Sequence, residues 1–285
     1  MNEQMSMSSE LLGYPPHARV LIVNCDDFGM HEGVNAAVID AIEHGIASSC
    51  SLMAVCPATS QALRLLRDRP ATAFGVHLTL VRDSPADRWC PRSPRHAVPS
   101  LLDDAGEFFT ASPAGRAELL ARARLPEVER EFRAQIDTVV DAGLSPTHLD
   151  FHCLADGGRP DILELTMELA DQYGLATRVW LEPGRRDARR RGLPVVDNDF
   201  LDSFALDVDG KHARYAELLR TLPVGLTEWA VHPGIWNERP EAAADHWRVR
   251  RGDHEFLTSP RAREILDQED IRVIDYRPLR RAWAR

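Results

Sequence analysis

The chain has 285 residues, of which 44% are hydrophobic and 27% charged, a composition typical of a globular protein with a large core and not of a disordered one. Its 44 acidic and 34 basic residues give a formal net charge of −10, which would repel a nucleic-acid backbone. We therefore expect a small neutral or cationic substrate and no nucleic-acid partner.

The first residues and the cysteines bear on where the protein works. Residues 1–16 have no basic start and no apolar run of signal-peptide length, and no later stretch reaches the roughly 18 apolar residues that cross a membrane. The five cysteines are an odd number without C-x-x-C spacing, which argues against a disulfide framework and a structural zinc cluster. We predict a cytoplasmic protein without a membrane partner, with a flexible leader (1–16) and a single domain (17–285).

Short apolar runs bounded by turn residues alternate with helical periodicity along most of the chain. Val34, Val38 and Ile42 repeat every four residues before Gly45, and a similar apolar stripe precedes Gly143, so a helix is predicted to end at each glycine. Seven segments are predicted as strands: residues 19–24, 49–55, 73–80, 147–152, 175–181, 226–232 and 271–275.

The alternation of strands and helices predicts an α/β fold. Each helix must bury its apolar stripe on a sheet face, which requires crossover connections and parallel strands. About seven parallel strands indicate a (β/α) barrel similar to a TIM barrel. Residues 81–115, rich in proline and polar residues, and the irregular stretch 182–201 are predicted loop insertions, the first of them over one end of the barrel.

Ionisable residues lie at or near the carboxyl ends of several predicted strands. Asp26 and Asp27 follow the first strand, His77 lies near the end of the third, and His232 closes the sixth. Active sites of parallel barrels are built at that end, so we expect these side chains to share one site. Each also has a simpler interpretation: His77 alone fits a buried core histidine, and the two aspartates fit a helix N-cap.

The segment HLDFH places His148, Asp150 and His152 on one face of the fourth strand, because side chains alternate along a strand. Two imidazoles and a carboxylate could bind one divalent cation and leave a position open for water; a hydrogen-bonded network without metal is the alternative. A cation would also let two adjacent carboxylates stay ionised, one as a ligand and the other as a proton acceptor. His232 would then donate a proton to the leaving group or be a further ligand.

Several motifs resemble, in order and spacing, those of the YdjC-like carbohydrate deacetylases, a family that includes chitooligosaccharide deacetylase. They are NCDDFG, HEGVNAAV, GVHLTL, THLDFH and HPG, and they extend from residue 20 to residue 234. The resemblance implies a metal-dependent hydrolase that removes acetyl groups from N-acetylated sugars on a distorted or incomplete barrel. The rival interpretations are a metal-dependent phosphoesterase and a non-catalytic sugar-binding protein on the same scaffold.

The resemblance also implies roles for individual residues. The metal ligands correspond to Asp27, His77 and His152. Asp26 corresponds to the catalytic base, and His232 to the general acid or a group that orients it. Apart from the resemblance, we expect His148, Asp150, Arg178 and Trp236 to bind substrate or to support the ligands.

One divalent metal ion is expected as the cofactor, with Zn²⁺ or Mg²⁺ ahead of Mn²⁺ or Co²⁺. The expected partner is a small N-acetylated sugar, and a homodimer is a further expectation. Cys153 and Leu154 stand where family members commonly carry further histidines, so the identity of the sugar and the effect of this replacement stay open.

Overall fold

The structure is a computed structural model, and it describes residues 6–235 and 244–284. In this part of the chain, parallel strands form an open, strongly curled half-barrel, so the predicted incomplete α/β barrel is confirmed. The strands are β1 (Arg19–Phe28), β2 (Ser49–Leu52), β3 (Phe74–Leu78), β4 (Val81–Arg82), β5 (Phe109–Thr110), β6 (His148–Phe151), β7 (Ala176–Thr177), β8 (Leu201–Asp202), β9 (Gly225–Val231) and β10 (Ile271–Val273).

The main sheet has the strand order β7-β6-β3-β2-β1-β9-β8. β10 pairs with the start of β1, on the edge that β2 occupies farther along the strand. β4 and β5 form a separate two-stranded sheet. All seven predicted strands are present. β8 is an additional strand, and its two residues are too few to produce a periodic signal in the sequence.

Helices connect the strands in the described part of the chain, and the predicted helix ends at Gly45 and before Gly143 agree with the structure. None of these helices is long and apolar enough to cross a membrane. They are α1 (Ser8–Leu11), α2 (Glu32–His44), α3 (Thr59–Arg67), α4 (Pro113–Arg122), α5 (Leu125–Val140), α6 (Pro160–Tyr173), α7 (Glu182–Arg190), α8 (Lys211–Arg220), α9 (Ala244–Leu257), α10 (Pro260–Gln268) and α11 (Arg277–Trp283).

The core is built around β1, which pairs with β2, β9 and β10. Residues 20–23 are fully buried, and the burial of each such side chain contributes about 1.5–3 kcal/mol. The strand continues to Phe28, four residues beyond its predicted end at residue 24, so Asp26 and Asp27 lie within it. Functional side chains at this end are therefore held by the most extensively paired strand of the sheet.

Two segments predicted as irregular are more ordered than expected. Residues 6–16 belong to the predicted flexible leader, yet α1 lies there, and the backbone N–H groups of Ser8 and Ser9 donate to the carboxylate of Asp197 at 2.7 and 3.1 Å. The charged stretch 182–201 contains α7, in which the buried Arg185 donates to the carbonyl of Asn198 at 2.6 Å. Asp197 lies far along the chain from α1, whereas Asn198 lies in the same stretch as Arg185; local periodicity shows neither contact.

The predicted insertion at residues 81–115 is structured by a buried arginine. It contains β4, β5, two short 3₁₀ helices and the start of α4. Arg82 donates to the carboxylate of Asp103 at 2.8 Å and to the carbonyl of Phe108 at 2.7 Å. These contacts close the insertion on itself beside the carboxyl ends of the main strands.

Candidate active site

A cavity of about 580 Å³ lies at the carboxyl ends of the strands. Most of the predicted site residues line it, although they come from distant parts of the sequence. His148 and Asp150 are fully buried and are not part of its lining, and Trp236 lies outside the described residues. The predicted residues that line the cavity are Asp26, Asp27, His77, His152, Arg178 and His232.

An irregularity in β1 explains how two consecutive aspartates reach the same cavity. Side chains of a regular strand alternate between faces, which would turn one of the two away. The pairing register with β2 shifts between Cys25 and Phe28, and Asp27 has a left-handed backbone with a φ of 66°. Aspartate tolerates this conformation better than most residues other than glycine. The bulge therefore brings both carboxylates into the cavity.

Asp27, His77 and His152 converge on one point. Oδ1 of Asp27 lies 3.5 Å from Nε2 of His77 and 3.1 Å from Nδ1 of His152. All three ligand atoms lie within 4.8 Å of one another, and all three residues are buried. One Asp oxygen and two imidazole nitrogens form a ligand set that suits a divalent metal with an open position.

Each histidine is oriented by a carboxylate on its other ring nitrogen. Nδ1 of His77 lies 2.8 Å from Oδ1 of Asp150, and Nε2 of His152 lies 2.8 Å from Oδ1 of Asp83. An ionised carboxylate only accepts hydrogen bonds, so these two nitrogens carry the protons. If both imidazoles are neutral, the opposite nitrogens face Asp27 with their lone pairs, an arrangement that requires a positive charge between them. Carboxylates hold metal-ligating histidines in this way.

The pKa values of His77 and His152 also show that their surroundings favour a positive charge. Burial opposes the charged form of His77, but the carboxylates of Asp150 and Asp26 outweigh burial and raise its pKa to about 9. Burial also opposes the charged form of His152, yet the electrostatic effects of Cys153 and of the Asp83 carboxylate raise its pKa well above the ordinary value. Without a metal, protons supply the charge. A divalent cation would supply this positive charge while both imidazoles stay neutral, so the residues fit a metal ion.

Two other groups of the described residues have metal-ligand geometry, but they fit less well. One is Asp26, His77 and Asp150, in which Arg178 already neutralises both carboxylates at 2.8 to 3.0 Å. The other is Asp83, His152 and Cys153. In this group Nε2 of His152 would be the ligand atom, but that nitrogen already donates its proton to Asp83. The set of Asp27, His77 and His152 is therefore the best candidate.

Asp26 is held as an oriented, ionised acceptor. Arg178, directly after β7, donates to both of its oxygens at 2.8 and 2.9 Å, and the amide of Asn24 donates to Oδ1 at 2.7 Å. Burial alone would raise the pKa of Asp26, but the charges of Arg178 and His77 lower it below its ordinary value. Such a group can accept a proton from a water molecule in the cavity.

Arg178 also contacts a third carboxylate, behind Asp26. Its Nε donates to Glu228 at 2.8 Å, and the hydroxyl of Tyr276 donates to Glu228 at 2.6 Å. Burial raises the pKa of Glu228 to about 7, although Arg178 lowers it. The ring of His148 stacks on Tyr276 with centroids 3.6 Å apart. His148 is thus part of the packing behind the cavity rather than a substrate contact.

His232 is fixed on the opposite side of the cavity. The hydroxyl of Ser203 donates to Asp253 at 2.5 Å, so it accepts from Nδ1 of His232 at 2.8 Å. Asp253 also accepts the backbone N–H of His232 at 2.8 Å, and Lys211 lies 2.7 Å from the same carboxylate. His232 belongs to none of the ligand groups among the described residues. This arrangement leaves Nε2 available for proton transfer.

Three residues that hold the site in place are absent from the sequence-based prediction: Asp83, Arg250 and Asp253. Asp83 orients His152, and Asp253 anchors His232 through Ser203. Arg250 donates to Oδ2 of Asp27 at 2.6 Å. Asp83 lies in the insertion and the other two lie on α9, so no strand-end pattern marks them in the sequence.

Comparison with known proteins agrees with this geometry. The family model described as YdjC-like protein matches residues 20–268. The chain belongs to the YdjC-like protein family. The resemblance inferred from the motifs is thereby confirmed, since the family match covers every motif that indicated it.

Relatives and solved structures in this family are similar over nearly their whole length. A carbohydrate deacetylase of Geobacillus stearothermophilus is 33% identical over 261 residues, covering 91% of this chain and 97% of the relative. One from Brevibacillus brevis is 29% identical over 262 residues, covering 91% and 99%. The crystal structure of a protein from Enterococcus faecalis V583, named for cellobiose-phosphate cleavage, has a TM-score of 0.75 at 26% identity and covers 92% and 99%.

Proposed function

We propose that this YdjC-like protein is a metal-dependent carbohydrate deacetylase, which hydrolyses the amide bond of an N-acetylated sugar to give acetate and the free amine. The observation that carries the proposal is the convergence of Asp27, His77 and His152 on one point of a cavity that also holds Asp26 and His232. The names of its relatives, carbohydrate deacetylases, give the reaction class.

The residues divide the steps of amide hydrolysis among them. Asp27, His77 and His152 would hold a divalent cation, which when bound polarises the amide carbonyl and lowers the pKa of water. Asp26 accepts a proton from the water molecule as its oxygen bonds to the amide carbon, and Arg178 keeps Asp26 ionised and oriented. His232 donates a proton to the departing nitrogen as the carbon–nitrogen bond breaks.

The cavity supports a small sugar as the substrate. Its volume of about 580 Å³ lies within the range of about 300–1,000 Å³ typical of small-molecule sites. Trp180, Phe200 and Phe204 line it with aromatic surface, and the rings of Trp180 and Phe200 pack edge to face with centroids 3.7 Å apart. Aromatic faces of this kind pack against the apolar faces of sugar rings.

For the metal, two imidazoles and one carboxylate favour Zn²⁺, and Mg²⁺, Mn²⁺ and Co²⁺ are the alternatives to be tested. A cytoplasmic location and a homodimer remain predictions. Cell fractionation and the mass of the protein in solution would test them.

The deciding experiment measures metal content and acetate release on the same full-length protein. We expect one equivalent of bound metal, and release of acetate from at least one N-acetylated mono- or oligosaccharide that stops on chelation and resumes on adding Zn²⁺, Mg²⁺, Mn²⁺ or Co²⁺. Two metal equivalents with phosphate release from phosphomonoesters would indicate the phosphoesterase instead. Bound metal and bound sugar without acetate release would indicate a non-catalytic binding protein.

A further inference from the structure

The buried arginine on α9 is the most unusual feature of the cavity. Arg250 is 5% exposed, and its Nη2 donates to Oδ2 of Asp27 at 2.6 Å. Its Nη1 has no hydrogen-bond partner among the described residues. Among these residues, Asp27 is therefore the acceptor that accounts for the position of the guanidinium. A permanent positive charge thus lies beside the carboxylate proposed to bind a divalent cation, although two cations on one carboxylate repel each other.

The two oxygens of Asp27 are divided between two tasks. Oδ1 faces the ring nitrogens of His77 and His152, whereas Oδ2 is taken by Arg250. An aspartate without this partner could bind a metal through both oxygens and fill a coordination position that water or substrate needs. Arg250 therefore limits Asp27 to a single ligand atom.

Contacts with several neighbours hold the guanidinium in place beside Asp27. The guanidinium lies 5.5 Å from the ring centroid of Phe204, and Nη2 lies 3.5 Å from the sulfur of Met30. The backbone carbonyl of Arg250 accepts the N–H of Gly234, and a Cβ on that glycine would come within 3.1 Å of Cβ of Arg250. The HPG glycine thus lets the loop after β9 approach α9 closely, which holds the arginine against Asp27.

This inference rests on the proposed function. We propose that Arg250 is a positioning residue that keeps Asp27 a one-oxygen ligand, lowers the affinity of the site for the metal and raises the reactivity of the site when metal is bound. Its charge repels a divalent cation and so weakens binding. The same charge withdraws electron density from Asp27, so that the ligand neutralises less of the cation's charge. The polarisation of the substrate carbonyl is then stronger.

The test compares divalent-cation affinity in variants of the full-length protein. In Arg250→Gln we expect the dissociation constant for Zn²⁺, measured by competition with a chromophoric chelator, to fall about tenfold, equivalent to about 1.4 kcal/mol. We expect kcat for acetate release to fall at least about tenfold while KM changes less, because removing a group that stabilises the transition state lowers kcat. Arg250→Lys keeps the charge and should stay within about threefold of the wild-type affinity for Zn²⁺.

The matched control is Arg251→Gln, on the same helix. Arg251 is exposed and pairs with Glu255 at 2.7 Å, so its loss changes the net charge equally without touching Asp27. Its affinity for Zn²⁺ should match that of the wild type. Arg250→Met is the second neutral variant, to be used if thermal melting shows that Arg250→Gln is unfolded.

The outcomes separate this inference from the proposed function. Folded neutral variants with unchanged or weaker Zn²⁺ binding would overturn the inference, since a merely structural arginine predicts a damaged site. If the wild-type protein binds no divalent cation, or releases acetate equally well without one, the metal-dependent function itself fails. Tighter binding together with lower kcat supports both.

Discussion

The two adjacent aspartates of the cavity have different surroundings, and the difference separates their proposed roles. Arg178 bonds both oxygens of Asp26, whereas Arg250 bonds one oxygen of Asp27 and leaves the other facing two imidazoles. Both carboxylates are buried and have lowered pKa values, because in each case the arginine and the neighbouring histidines together outweigh the opposing effect of burial. Through these partners, two identical neighbours in sequence have the different surroundings that the proposed proton acceptor and the proposed ligand need.

A single bulge in β1 gives the two aspartates different neighbours. The left-handed backbone at Asp27 turns its side chain toward α9 and the two histidines, while Asp26 faces Arg178 after β7. Charge compensation is local on each side, with one arginine for each aspartate. Substitutions can therefore disrupt the surroundings of one aspartate at a time.

The largest effect is expected on the ligand side. Asp27→Asn removes the anionic oxygen between the two imidazoles, so the protein should lose stoichiometric Zn²⁺ binding, and acetate release should fall to the level of the chelated wild type. Elemental analysis and the acetate assay check both. Full activity in an Asp27→Asn protein that contains metal would remove Asp27 from the ligand set.

On the acceptor side, Asp26→Asn should keep the metal and lose turnover. An amide cannot accept the proton from water, and loss of a general base costs about 10²- to 10⁴-fold in rate. The measurements are kcat and metal content, with Asp171→Asn, an exposed aspartate on α6, as the matched control. Normal turnover in the metal-loaded variant would show that Asp26 is not the base.

A smaller effect is expected one contact away from the ligands. Asp83→Asn weakens the hold on Nε2 of His152, and loss of such a carboxylate typically lowers metal affinity or activity about 10- to 100-fold. Competition with a chelator measures the affinity, and Asp104→Asn, exposed in the same insertion, is the control. Equal Zn²⁺ affinity in both variants would indicate that the ring of His152 is oriented by other contacts.

The smallest effect on turnover is expected for Glu228→Gln, whose amide can still hydrogen-bond Arg178 and Tyr276. The effect of this substitution is measured as a change in how the unfolding free energy depends on pH. Because burial raises the folded pKa of Glu228 to about 7 from an ordinary 4.5, its neutral form favours folding fully below about pH 4.5, and this contribution is lost as the pH rises through about 7.

Glu228→Gln should therefore lose less unfolding free energy than the wild type between about pH 5 and pH 8, by at most about 3 kcal/mol. Chemical denaturation of both proteins across this range measures the difference. Parallel pH profiles would mean that Glu228 stays ionised throughout and shares Arg178 with Asp26.

Local periodicity was enough to predict the strands, whereas the resemblance to the family supplied the choice of Asp27, His77 and His152 as ligands. Alternation in HLDFH puts His152 and Asp150 on one face, and the apolar run before Asp26 marks the central strand. These patterns are short-range, because each depends on residues within one element. Alternation gives only the face of the strand on which His148 lies and not its depth, so its full burial against Tyr276 is visible only in the structure.

Only the tertiary structure decided how the two aspartates differ. Asp83 and Arg250 reach the cavity from an insertion and a helix far along the chain, and Asp253 on the same helix anchors His232 through Ser203. The order of α1 depends on Asp197. No periodic signal marks such contacts, since a charged residue on a loop or helix looks the same whether it faces solvent or a buried carboxylate. The sequence by itself determined the half-barrel and the residues at its strand ends, whereas long-range charge pairing determined what each of them can do.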